Sequence, residues 1–61
     1  MKTYHVTVFS KTGEKLLDDT FEANDDQQAK EIGEQILKEK NYWEETHRVV
    51  SPTGKLLLFH S

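Results

Sequence analysis

Two stretches of this chain are nearly the same. Residues 8–17 read VFSKTGEKLL and residues 49–58 read VVSPTGKLLL, identical at six of ten positions at an offset of 41. Each holds Ser-x-Thr-Gly between β-forming residues. A type I turn favours Ser first, Pro second and Gly fourth. Ser51-Pro52-Thr53-Gly54 meets all three preferences, and Ser10-Lys11-Thr12-Gly13 meets two. A glycine in the left-handed conformation then forms the bulge of a three-residue hairpin loop. A phosphate-binding loop needs several glycines and must lead from a strand into a helix. Each copy here has one glycine and leads into another strand, so the pattern is that of two hairpins.

What lies between them changes period. In residues 24–40, Ala29, Ile32, Gly33, Ile36 and Leu37 fall on one helical face. Asn24 is placed to cap this helix, with Gln27 three residues on as its capping-box partner. Asn41 suits the left-handed residue that closes a helix. Gly33, unfavourable in mid-helix, reads as a seat for an aromatic such as Phe21, Trp43 or Phe59. Ahead of the helix, residues 3–9 alternate, with Tyr4, Val6 and Val8 on one face. In residues 16–23, Leu17, Asp19, Phe21 and Ala23 share a face, which places Asp19 at a sheet edge or a bulge. Residues 42–50 form a polar strand and residues 55–60 a short apolar one.

The sequence therefore predicts a single α+β domain over residues 1–61, ββαββ, a four-stranded sheet with one helix on one face. The most apolar strands are the first and fourth, and the second and third carry acids suited to edges. That distribution favours the order 2-1-4-3, an arrangement of the β-grasp type that by itself carries no function.

A chain of this length buries only about 60% of its unfolded surface. With no cysteine it has no disulfide or thiolate–metal staple. One helix leaves the other sheet face to solvent, and an apolar patch there marks a contact surface. The candidate interaction surface is His5, Phe9, Leu56, Leu58 and Phe59. The favoured function is a small non-enzymatic interaction module, binding an unknown protein partner or a second copy through the open face or an edge strand.

Other chemistry finds little support. Eleven acids against eight bases give a net charge of −3, and Arg48 is the sole arginine. This argues against nucleic acid, although aromatics on an open sheet are the device of single-strand binders. A metal site would need His5, His47 and His60 together on one face. The Glu44-x-x-His47 spacing works on a helix but places the two side chains on opposite faces of a strand. No catalytic, cofactor-binding or metal-ligating residue is assigned, and no cofactor is expected. No apolar run reaches the about 18 residues of a membrane span, nor is there a signal-peptide pattern, so a cytoplasmic location is expected.

The segments YHVTVFSKTGEKLLDDTFEA, AKEIGEQILKEK and THRVVSPTGKLLLFH together resemble the YhzD-like family of small bacillar proteins. The resemblance implies a small cytoplasmic protein of Gram-positive spore-formers. It implies no catalytic residues.

Overall fold

The computed structural model describes residues 1–60. Its elements are β1 (Lys2–Phe9), β2 (Lys15–Ala23), α1 (Asp26–Glu39), β3 (Thr46–Val50) and β4 (Leu56–His60). All neighbouring strands are antiparallel, in one sheet of order β2-β1-β3-β4.

Both hairpins are built alike. The Gly13 and Gly54 amides each donate to the Ser carbonyl three residues back at 2.9 Å, with φ of 87° and 89°. The Ser10 and Ser51 side-chain oxygens accept from the Glu14 and Lys55 amides at 3.1 and 2.9 Å. Each Ser hydroxyl also bonds its Thr partner, Thr12 or Thr53.

The likeness continues past the turns. Pairing slips by one residue after Val8↔Leu17 and again after Val49↔Leu58, which leaves Leu16 and Leu57 as the extra residues of two bulges. Leu16, Leu17, Leu57 and Leu58 all pack against the core. In a regular strand, consecutive residues face opposite ways. The bulges thus explain the repeated Leu-Leu. A shift of 41 residues also exchanges the central pairs Val6↔Val49 and Val8↔His47, so the ladder has a local two-fold at Thr7↔Arg48.

The helix caps are specific at both ends. Asp25, not Asn24, is the N-cap: its carboxylate accepts from the Gln28 amide at 2.8 Å, and the Gln28 side chain accepts from the Asn24 amide at 2.6 Å. The capping frame is thus one residue later than the sequence suggests, with Gln28 in the role assigned to Gln27. At the other end Asn41 has φ of 61°, and the amides of Asn41 and Tyr42 donate to Lys38 and Leu37. This is a Schellman closure, and Tyr42 and Leu37 join the same core cluster.

The sheet order departs from the expected 2-1-4-3. The buried side chains are Tyr4, Val6, Val8, Ala23, Ala29, Leu37, His47, Val49 and Ser51; β3 lies under the helix and β4 at the edge. The acids that made the third strand look like an edge, Glu44 and Glu45, precede it, in a turn where the Glu45 amide donates to Tyr42. Within β3 itself Val49 and His47 face inward. Placing β3 beside β1 also makes every pairing antiparallel, whereas 2-1-4-3 would set β1 parallel to β4, a slightly weaker ladder. Asp19 does sit on an edge strand, opposite Val6 and exposed.

Gly33 seats aliphatic side chains rather than an aromatic ring. A Cβ there would lie 3.0 Å from Val49 Cγ2 and 3.4 Å from Leu58 Cδ1. At the far end of the helix the Tyr4 hydroxyl donates to Asp26 at 2.9 Å, and its ring stacks on Phe21. Burial, and then this bond, raise the Tyr4 pKa; the same bond lowers that of Asp26, desolvation opposes it, and nearby Lys55 adds a smaller lowering.

Gly33→Ala tests the helix–sheet spacing. Alanine gains up to about 1 kcal/mol of helix propensity. Overpacking against a fully buried valine costs about 1–3 kcal/mol. Urea unfolding is expected to show a net loss of about 1 kcal/mol; a midpoint at or above the parent's would mean that Val49 yields.

Candidate interaction surface

Cross-strand partners share a sheet face, so the registers define the side turned away from α1. One row across it is Thr20–His5–Val50–Leu56, and the next is Asp18–Thr7–Arg48–Phe59. Phe9 lies beyond these, between Lys15 and Thr46.

This face is divided. Over β2 and β1 it is polar: His5 Nε2 bonds Asp18, and Lys15 reaches the same carboxylate at 3.0 Å. These bonds, His5's first, lower the Asp18 pKa. Over β3 and β4 the face is apolar. Leu56 and Phe59 are 50% and 54% exposed, Val50 is half-buried, and the Arg48 guanidinium lies 5.6 Å from the Phe59 ring centre. A guanidinium over an aromatic face is a favourable contact that keeps the ring in place.

Four of the five expected surface residues are on this face, and the fifth is not. Leu58 turns toward the helix, because the bulge at Leu57 brings two consecutive leucines to the core and Leu58 Cδ1 meets Gly33. His5 and Phe9 are on the open side but separate from the apolar group, His5 within the Asp18 network and Phe9 half-buried. Val50 and Arg48 complete the apolar half. They were legible as outward positions only once β3 was known to adjoin β1, where Val50 pairs with His5 and Arg48 with Thr7.

A second cluster lies on the helix side, at the C-terminal end of β4. Trp43, expected in a strand, occupies the turn after α1 and stacks on His47 with ring centres 5.0 Å apart. His47 is buried and faces His60 at 5.5 Å. The Nδ1 of His47 bonds the Glu45 carbonyl at 3.0 Å, and Nε2 of His60 bonds that of Glu44 at 3.1 Å. Two open clefts of about 330 and 320 Å³ flank Trp43; the first reaches His47, Phe59 and His60, the second Lys38 and Asn41. His5 is on the opposite side of the sheet, so the three histidines do not converge. Among the described residues no three of His, Cys, Asp and Glu are placed to hold a metal ion.

The model of the YhzD-like protein family matches residues 1–61. The chain belongs to the YhzD-like family. The uncharacterised protein YhzD of Bacillus subtilis (strain 168) is 47% identical over 60 residues, covering 98% of each chain. No solved structure matches. Among the described residues no helix of this YhzD-like chain is long and apolar enough to cross a membrane.

Burial, and to a lesser degree His60, lower the His47 pKa against the opposing pull of the Glu45 and Tyr42 carbonyls. A depressed histidine stays neutral in the folded state while the unfolded chain takes up a proton. Its contribution is complete above the ordinary value of about 6.5 and is lost as pH falls below it, until the folded form protonates. Stability measured by urea unfolding is expected to fall between pH 7 and 5, by at most about 1.4 kcal/mol per pH unit from this residue. His47→Gln should flatten that slope; an unchanged slope would assign it elsewhere.

Proposed function

We propose that this protein is a small, non-enzymatic interaction module working in the cytoplasm. Its contact surface is the apolar half of the open face together with the free edge of β4. The observation that carries this reading is Leu56 and Phe59, half exposed on an edge strand with no charged residue from Leu56 to Phe59. Proteins protect sheet edges with charges, prolines or bulges, because an unprotected edge pairs with another chain. The other edge, β2, is protected by Lys15, Asp18, Asp19 and Glu22. β4 has a bulge near its start but no charge, and its backbone and side chains suit β-augmentation.

A protein partner suits the surface better than nucleic acid. The sole arginine is engaged over Phe59, and the chain carries net negative charge. The cytoplasmic placement is supported by the cysteine-free sequence, which needs no oxidising compartment.

A photo-crosslinking residue substituted at Phe59, and separately at exposed Glu31 on the helix, tests the reading in cells. Adducts to protein are expected from position 59 and not from position 31. No adduct at 59, or equal yields at both, would remove β4 and its neighbours as the contact surface.

A further inference from the structure

We infer that the occupant of the β4 edge is a second copy of this chain, paired antiparallel about a two-fold axis near the middle of β4, which joins two four-stranded sheets into one of eight. This rests on the interaction-module reading and names its partner. Three observations on the molecule lead to it.

The first is the contrast between the edges. Pairing β2 with a second β2 would bring Asp18, Asp19 and Glu22 of one copy toward those of another, in a chain of net charge −3. Like charges placed opposite on neighbouring strands are destabilising. β4 presents Leu56, Leu57, Leu58 and Phe59 and incurs no such repulsion.

The second is charge complementarity at the ends of β4. Lys55 precedes the strand; its ammonium is exposed and turned to the helix side, where it reaches Asp26 at 3.5 Å. Exposed Glu44 stands at the other end, its carbonyl bonded to His60, and its residue lines the clefts beside Trp43 on the same side of the sheet. A two-fold axis reverses one strand against the other. It therefore brings Lys55 of each copy toward Glu44 of the second, with the apolar residues between the two charge pairs. An apolar centre with polar, charged margins is the usual anatomy of a protein contact.

The third is closure. A two-fold contact uses the same patch on both copies and stops at a dimer. Pairing of β4 with β2 of another copy would leave one edge of each kind free and propagate into a filament. The charged β2 edge opposes that route.

Sedimentation equilibrium on the purified chain, over a wide concentration range and at low and high salt, tests the inference. The mass is expected to rise from 7.1 kDa toward twice that value with concentration. Leu56→Lys and Phe59→Lys, at positions already half exposed, should each weaken the dimer by about ten-fold or more while circular dichroism shows the fold intact. Lys55→Glu and Glu44→Lys should each weaken it, and the double exchange should restore it. A mass of 7.1 kDa at every concentration overturns the inference, as does a dimer indifferent to Phe59→Lys or to the charge exchange. A monomer whose position 59 still crosslinks to a different protein would overturn the second copy as occupant and leave the module reading intact. A monomer without crosslinks would remove both.

Discussion

The contact between Val49 and Gly33 governs how the other parts are arranged. A helix lies closest to a sheet where neither surface projects, and here the missing Cβ of Gly33 receives Val49 Cγ2. That seat holds β3 under the helix, beside β1, and so consigns β4 to the edge. Burial follows: Val6, Val8, Leu37 and Val49 form one cluster, and Tyr4, Ala23 and Ala29 a second at the N-terminal end of the helix. Phe21 and Leu57 pack against both.

The two hairpins supply what this small core needs from the sheet. Each turn is fixed by its own serine and glycine and needs no help from distant residues. Each bulge then adds a second leucine to the covered face. In a chain without cysteine, one extra apolar residue per hairpin is an economical way to enlarge a core that one helix must cover. Tyr4, fully buried yet bonded to Asp26 through its hydroxyl, fastens the helix start to the centre of the sheet. Among the described residues, no buried side-chain nitrogen or oxygen lacks a partner.

The same arrangement makes the molecule asymmetric in its chemistry although its ladder is nearly two-fold. The equivalent of Asp18 at an offset of 41 is Phe59, and that of Asp19 is His60. One hairpin therefore ends in a charged edge and a polar open face. The other ends in an apolar edge and the clustered rings of Trp43, His47 and His60. Of the inner strands only Val8 and Val49 correspond as identical residues, whereas the second strands share the Leu-Leu pair and differ on either side of it.

Local chemistry was legible in the sequence. The turns at Ser10 and Ser51, the helix face of Ala29, Gly33 and Leu37, the closure at Asn41 and the inward set Tyr4, Val6 and Val8 all follow from interactions within a few residues. The capping frame and the bulges were harder to read, since Asn24 and Asp25 are both good caps and the adjacent leucines at 16–17 and 57–58 fit either a bulge or an ordinary pair facing opposite ways. The neighbour of β1 could not be read locally. Apolar content pointed to β4, but side-chain packing across the sheet, with Val49 fitted to Gly33, selected β3. That choice also left Leu56 and Phe59 on an open edge, while the bulge at Leu57 turned Leu58 under the helix. The sequence by itself determined which elements form and where the chain reverses, because those depend on short-range bonds; the tertiary structure decided which strand is covered, because that depends on the fit of two surfaces far apart in the chain.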